Sequence, residues 1–318
     1  MYAQSNEIKV FTANANPAFA QGVCDALGIP LGQCEVKAFS DGEVSVTITE
    51  TVRGRDVFMI QSTCSPVNDN LMELLIMIDA LKRSSAARVT AVIPYYGYAR
   101  QDRKAKARDP ISAKLVANLL VAAGADRILT MDLHAPQIQG FFDIPVDHLL
   151  GNPAFVKYYM EKFPEHREDM VVVSPDVGSV SRARAFAQKM GMGLAIVDKR
   201  RPTANVSEVM NVIGDVKDRE CILFDDMVDT AGSLCNAAKA LKELGGAKKV
   251  WACASHGVLS GPALDRVEAS EMEELMLLNT IPMPKNYTGT KIHQLDVSGM
   301  FAEAITCIHD NTTISKLF

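Results

Sequence analysis

Short apolar, β-branched runs alternate with amphipathic helical stretches along almost the whole chain, and this alternation restricts the fold more than any other feature of the sequence. Alternating strands and helices predict parallel sheets that helices cover on both faces. Such sheets bind ligands at the carboxyl ends of their strands. The predicted strands are residues 57–60, 89–93, 127–131, 170–173, 194–197, 221–224, 250–254 and 275–278. The predicted helices are residues 70–83, 112–123 with Ser112 as N-cap, 178–190 and 232–244.

One pattern of strand, polar loop, long helix, small-basic turn and strand occurs twice, in residues 57–92 and 221–252. A chain of 318 residues also suits two domains of about 150 residues each. We therefore predict an α/β protein of two similar domains, each a mainly parallel sheet flanked by helices. The first domain covers residues 1–148 and is rejoined by 306–318, and the second covers 149–305.

Composition excludes several classes of protein. The net charge of −5 provides no overall attraction to nucleic acid. The seven cysteines are odd in number and lack a Cys-x-x-Cys pair, which favours free thiols in a reducing compartment over disulfides or a zinc site. The first residues lack a signal-peptide pattern, and no run approaches the ~18 apolar residues that a membrane span needs. We expect a soluble, cytoplasmic protein without membrane or nucleic-acid partners.

The segment after the predicted strand 221–224 combines acidic and small residues and leads directly into a helix. Backbone N–H groups and the positive end of the helix dipole favour a phosphate there, while carboxylates are good acceptors for vicinal ribose hydroxyls. An acidic pair alone is more typical of a helix cap, but the complete pattern favours a ribose 5-phosphate site. The proposed binding residues are Asp225, Asp226, Val228, Asp229, Thr230, Ala231, Gly232 and Ser233.

A basic loop follows the predicted strand 89–93. Arg100 lies there beside Lys104 and Lys106, with tyrosines interleaved. A charge run is more often a solvated face, but the position at a strand's carboxyl end favours a nucleotide. The sequence lacks a Gly-x-x-x-x-Gly-Lys-Ser/Thr P-loop, so ATP would need this alternative arrangement.

Three further post-strand segments carry residues suited to phosphate chemistry. His134 follows residues 127–131, although a lone histidine is more often structural. Its neighbour Asp132 and a second post-strand carboxylate, Asp176 after 170–173, indicate a magnesium site. Lys199 and Arg201 follow 194–197 and could neutralise charge on a phosphoryl transition state. An exposed basic hairpin explains these two cations equally well.

The segment Asp225–Ser233 resembles the phosphoribosyl diphosphate loop shared by type I phosphoribosyltransferases and ribose-phosphate diphosphokinases, with Ser233 where the common form has Thr. Other segments resemble the bacterial-type diphosphokinases specifically, and the resemblance covers essentially the whole chain. They are FSDGE (39–43), YARQDR (98–103), DLHA (132–135), GFFDIP (140–145), SPDVG (174–178) and DKRR (198–201).

This resemblance implies the type I phosphoribosyltransferase fold in both domains, a homohexamer, and transfer of the β,γ-diphosphoryl group of ATP to ribose 5-phosphate for nucleotide, histidine and tryptophan synthesis. It implies catalytic roles for Lys199 and Arg201, and a Mg²⁺ site at His134 and Asp176. The implied ATP-binding residues are Phe39, Asp41, Glu43, Arg100, Gln101, Asp102 and His134, the first three acting from a neighbouring subunit. A regulatory site for activating phosphate and inhibitory ADP is implied at Thr51, Arg53, Lys104, Lys106, His148, Thr313 and Ser315.

Two other functions share part of this pattern. A phosphoribosyltransferase would have the 225–233 loop but would not need the adenine and basic-loop segments. A non-catalytic relative that regulates true synthases would be expected to have lost the sugar-phosphate loop or the catalytic cations, and both are present. The sequence favours the enzyme over both alternatives.

Overall fold

The computed structural model describes residues 7–165, 167–200 and 209–317. Its strands are β1 Ile8–Thr12, β2 Cys34–Ala38, β3 Val44–Ile48, β4 Asp56–Ile60, β5 Arg88–Ile93, β6 Arg127–Met131, β7 Val146–Leu149, β8 Met170–Ser174, β9 Gly193–Arg200, β10 Val209–Ile213, β11 Glu220–Val228, β12 Lys249–Gly257, β13 Glu274–Leu278 and β14 Ile292–Leu295. Its α-helices are α1 Pro17–Leu27, α2 Val67–Arg83, α3 Ser112–Ala123, α4 Asn152–Lys162, α5 Val180–Met190, α6 Gly232–Glu243, α7 Ala263–Glu268 and α8 Ser298–His309.

These elements form two compact units. Within the described residues, the first unit comprises 7–150, 280–282 and 296–317, and the second comprises the rest of 151–295. The first unit contains a parallel sheet in the order β1-β4-β5-β6-β7 and a separate antiparallel hairpin, β2–β3. The second contains a sheet in the order β10-β9-β8-β11-β12-β13-β14, in which only β10 runs antiparallel to its neighbour.

The two units repeat one topology. The order β8-β11-β12-β13-β14 in the second unit matches β1-β4-β5-β6-β7 in the first, and the hairpin β9–β10 occupies the place in the chain that β2–β3 has in the first unit. The predicted fold class, two similar α/β domains with mainly parallel sheets, is confirmed.

Burial explains why the strand prediction succeeded for the central strands. Every residue of β4, β13 and β8 is buried, as expected for strands covered by helices on both faces. The half-buried edge strands β1, β7 and β14 have shorter apolar runs and were not predicted. Helix α3 has the predicted bounds, but Ser112 is its first residue, and the N-cap is Ile111 without a side-chain cap. The prediction of Ser112 as N-cap was wrong.

Helix α8 belongs to the first unit, whereas the sequence-based division left residues 298–305 in the second. It packs against α1, where the Phe19 and Phe301 rings meet edge to face at 5.2 Å. A side chain at Gly22 would lie 2.9 Å from Ser298 Oγ, so glycine permits this close approach. No helix in the described part of the chain is long and apolar enough to cross a membrane.

Candidate functional site

The acidic pair lies inside a strand. The sequence predicted a strand ending at residue 224, but β11 continues to Val228 because its backbone pairs with β12 as far as Gly257. Asp225 and Asp226 therefore have the fixed backbone of a sheet, and only residues 229–231 form the turn into α6.

That turn presents an anion-binding nest. Ala231, the N-cap of α6, adopts the left-handed conformation with φ of 59°, and it has no side-chain cap bond. In the described part of the chain, no hydrogen bond engages the amide N–H groups from Thr230 to Ser233. Free N–H groups at a helix N-terminus bind anions, so this geometry suits a phosphate.

The loop after β12 holds the nest in place. The amide of Leu259 donates to the carbonyl of Val228 at 3.0 Å, and the amide of Ser260 donates to that of Asp229 at 2.9 Å. These bonds connect the end of β11 and the first residue of the turn to the neighbouring loop. Backbone contacts therefore hold the nest in place.

The two carboxylates differ in their surroundings. Asp226 is buried and pairs with Arg182, with 3.0 Å between Nη1 and Oδ2. Asp225 is half-buried, and its Oδ1 accepts hydrogen bonds from Ser179 Oγ at 2.7 Å and from the Asp226 amide at 2.9 Å. Burial, followed by the negative charge of Asp226, raises the pKa of Asp225 from 3.8 to about 7. Neither Ser179 nor Arg182 was identified from the sequence, which holds no local signal for them.

Of the two proposed catalytic cations, Lys199 lies in β9 of the hairpin β9–β10, where its backbone pairs with that of Met210. Arg201 lies outside the described residues. The equivalent hairpin of the first unit, β2–β3, carries the predicted adenine-binding residues. The sequence thus assigns ligand-binding roles to the same hairpin in both units.

In β2–β3 the turn is ordered by its own backbone. The amide of Phe39 donates to the Glu43 carbonyl at 2.8 Å, and the Glu43 amide donates to Asp41 Oδ1 at 3.1 Å. All three side chains are exposed, and Phe39 is 58% exposed. An exposed aromatic ring is available to a ligand, and its role at the adenine of a neighbouring subunit stays a prediction.

The basic loop follows β5. Tyr98 adopts φ of 63°, and the Gln101 carbonyl accepts a 3.2 Å hydrogen bond from the Ala113 amide near the start of α3. Arg100 and Gln101 are exposed, whereas Asp102 is half-buried and accepts a 2.9 Å hydrogen bond from the Gln137 side chain. Lys104 and Lys106 are exposed farther along the loop.

The His134 loop is fixed by strand β7. Asp132 adopts φ of 39°, and its amide donates to the Leu149 carbonyl at 3.0 Å. The next amide, from Leu133, donates to His148 Nε2 at 2.8 Å. His134 itself is exposed. His148, which the resemblance places in a regulatory site, therefore contacts the backbone of a proposed ATP-binding loop.

Asp176 is the predicted magnesium ligand of the second unit. Asp176 is exposed, and its Oδ1 accepts a 2.9 Å hydrogen bond from the Ser179 amide. Within the described ranges, no group of three or more His, Cys, Asp or Glu residues could hold a metal by itself. Magnesium is commonly held by one or two carboxylates together with water and substrate phosphates, so an exposed Asp176 fits the ion.

The predicted regulatory residues fall in separate segments. Thr51 and Arg53 are exposed, and Arg53 donates to Ser85 Oγ at 3.1 Å. Thr313 Oγ1 donates to Ser315 Oγ at 2.9 Å and accepts from the Ser315 amide at 3.1 Å. Among the residues that the structure describes, no hydrogen bond or ion pair connects the two segments.

Comparisons with known proteins agree with one another. Residues 8–124 match the family model described as the N-terminal domain of ribose phosphate pyrophosphokinase, and residues 199–318 match the phosphoribosyl synthetase-associated domain. A ribose-phosphate pyrophosphokinase of Clostridium perfringens is 64% identical over 100% of this chain and 99% of its own length. That of Clostridium tetani is 61% identical over the same shares. The crystal structure of phosphoribosylpyrophosphate synthetase from Mycobacterium smegmatis is 43% identical with a TM-score of 0.91, covering 96% of this chain and 99% of that one.

Proposed function

Because this chain belongs to the ribose-phosphate pyrophosphokinase family, we propose that it transfers the β,γ-diphosphoryl group of ATP to the C1 hydroxyl of ribose 5-phosphate. The products are 5-phosphoribosyl 1-diphosphate and AMP. The observation that carries this proposal is the junction of β11 and α6, where two carboxylates precede a nest of free N–H groups. This junction has the acceptors for a ribose and the donors for its phosphate.

Ribose 5-phosphate binds to the second unit. The carboxylates of Asp225 and Asp226 accept hydrogen bonds from ribose hydroxyls, and residues 228–233 hold the 5-phosphate. Asp225 is the more accessible of the two acids, because Asp226 is buried against Arg182. Direct contact with the sugar is therefore expected mainly from Asp225.

ATP binds to residues of the first unit. Arg100 and Gln101 in the basic loop and the exposed His134 provide donors for the phosphates. Asp102 in the same loop provides an acceptor for the polar hydrogens of the nucleotide. The exposed β2–β3 turn, residues 39–43, contacts adenine from a neighbouring subunit, so the protein works as a homo-oligomer, in this family a hexamer. His134 and Asp176 would hold Mg²⁺, which when bound would supply positive charge to the phosphates.

The transfer proceeds in line, with the C1 hydroxyl attacking the β-phosphorus as AMP leaves. Lys199 and Arg201 supply positive charge to the phosphoryl oxygens as negative charge builds up on them. Positioning and charge neutralisation provide most of the acceleration in phosphoryl transfer, so no covalent enzyme intermediate is required. Regulation by inorganic phosphate and ADP would act through Thr51, Arg53, Lys104, Lys106, His148, Thr313 and Ser315.

The test is incubation of the purified protein with Mg-ATP, ribose 5-phosphate and inorganic phosphate, followed by chromatography of the nucleotides. We expect AMP that forms only when ribose 5-phosphate is present, in equal amount to a new diphosphorylated sugar. ADP as the primary product would mean single phosphoryl transfer and would contradict the mechanism. Binding of both substrates without turnover would identify a regulatory relative instead.

A further inference from the structure

An arginine that the sequence did not suggest lies beside the phosphate nest. Arg266, on the short helix α7, donates from Nη1 to the carbonyl of Thr230 at 3.0 Å. The same Nη1 is 3.4 Å from the position that a Cβ on Gly232 would occupy. Its guanidinium group is thus in contact with two of the residues that form the nest.

The charge of Arg266 is not neutralised by the protein. Its side chain is exposed, and in the described part of the chain it forms no ion pair with a carboxylate. Glu268 on the same helix is engaged elsewhere, since its Oε1 accepts hydrogen bonds from Tyr287 Oη at 2.6 Å and the Lys291 amide at 3.0 Å. Asp265 precedes Arg266 in the helix, where adjacent side chains do not face each other.

Helix α7 holds this arginine in position. The backbone amide of Arg266 donates to the Pro262 carbonyl at 3.0 Å, and its own carbonyl accepts a 3.5 Å hydrogen bond from the Cys235 thiol. Cys235 lies in the first turn of α6, directly after the nest. The bond to Thr230 uses one N–H of a group that has five, so donors remain for a ligand.

We propose that Arg266 is a phosphate-binding residue that selects phosphorylated over unphosphorylated pentose. This inference rests on the proposed ribose 5-phosphate site. Backbone N–H groups and a helix dipole provide only partial positive charge, whereas a sugar phosphate carries nearly two negative charges at neutral pH. Arg266 supplies a full positive charge and planar donors that match phosphate oxygens.

The test compares Arg266→Gln and Arg266→Lys with wild type. Gln can still donate to the Thr230 carbonyl but carries no charge, whereas Lys keeps the charge. For Arg266→Gln we expect the KM for ribose 5-phosphate to rise about ten-fold, since hydrogen bonds to charged groups are worth more than neutral ones. The KM for ATP and kcat should change by less than about two-fold, and Lys should restore most of the affinity. Arg219→Gln is the matched control, because Arg219 is in the same unit but precedes β11, at the end of the strand opposite the phosphate nest.

Calorimetric titration separates this proposal from the proposed function. Titration with ribose 5-phosphate measures its affinity even if no AMP is formed. The difference between this affinity and that of unphosphorylated ribose gives the contribution of the phosphate. Loss of ribose 5-phosphate affinity in Arg266→Gln with unchanged ribose affinity would support the proposal. Equal losses of affinity for both sugars would overturn it and would indicate that Arg266 only positions the Thr230 backbone. Wild-type affinity for ribose 5-phosphate in Arg266→Gln would also overturn it. If Arg266→Gln does not fold, as judged by its thermal unfolding, failure of the charge-conserving Arg266→Lys to bind ribose 5-phosphate would equally overturn it.

Discussion

Replacement of Asp225 by Asn should make the stability of the protein less dependent on pH. Burial and the adjacent Asp226 raise the pKa of Asp225 from 3.8 to about 7. An unfolded chain releases this proton near pH 4, but the folded protein retains it until about pH 7. The contribution of Asp225 to stability is therefore largest below pH 3.8, and it is lost as the pH rises through 7.

The magnitude follows from the two pKa values. One pKa unit corresponds to about 1.4 kcal/mol, so the interval from 3.8 to about 7 sets an upper limit of about 4 kcal/mol. Asp225 is only half-buried, so solvent can stabilise its charged form. We therefore expect the free energy of unfolding of Asp225→Asn, relative to wild type, to increase by about 2 kcal/mol between pH 4.5 and 8. Asn still accepts the hydrogen bond from Ser179.

The assay is urea unfolding followed by tryptophan fluorescence at several pH values and one protein concentration. Trp251, the only tryptophan, lies in β12 of the same unit and reports on its unfolding. Asp215→Asn is the matched control, because it makes the same substitution in the same unit at a side chain that is 71% exposed. A difference between wild type and Asp225→Asn that stays constant, or shrinks, as the pH rises would refute the reasoning.

Three further predictions concern catalysis, nucleotide binding and stability. Lys199→Ala should lower kcat far more than ATP affinity, and an unchanged kcat in steady-state assays would exclude a catalytic role. Phe39→Ala should raise the KM for ATP about ten-fold, because stacking of the ring on adenine is lost. Urea unfolding should show no loss of stability, since the ring is 58% exposed. An unaltered KM for ATP would contradict the adenine role. Asp56→Ala should lower the free energy of unfolding by about 3 kcal/mol, because buried Asp56 pairs with Arg88 and with His309 Nδ1 at 2.7 Å. A loss below about 1 kcal/mol, measured by urea denaturation followed by circular dichroism, would contradict this stabilising role.

The sequence by itself determined the features that depend on residues close together along the chain. Runs such as MVVV, residues 170–173 of β8, are apolar at every position, as expected of a strand covered on both faces. The phosphate nest was also predictable, because residues 229–233 form it with their own backbone and the first turn of α6. Because the nest follows a buried strand, it was expected at the carboxyl ends of the strands of a parallel sheet.

The tertiary structure alone decided which groups surround these residues. The bond from Ser179 to Asp225 spans 46 residues, and the bond from Arg266 to Thr230 spans 36. No periodicity or motif encodes such distances. The different burial and pairing of Asp225 and Asp226 could not be predicted from the sequence for the same reason, since the two aspartates are adjacent in one segment. Asp225 is a half-buried carboxylate whose pKa is raised by burial and by the charge of Asp226, whereas Asp226 is buried and pairs with the guanidinium of Arg182.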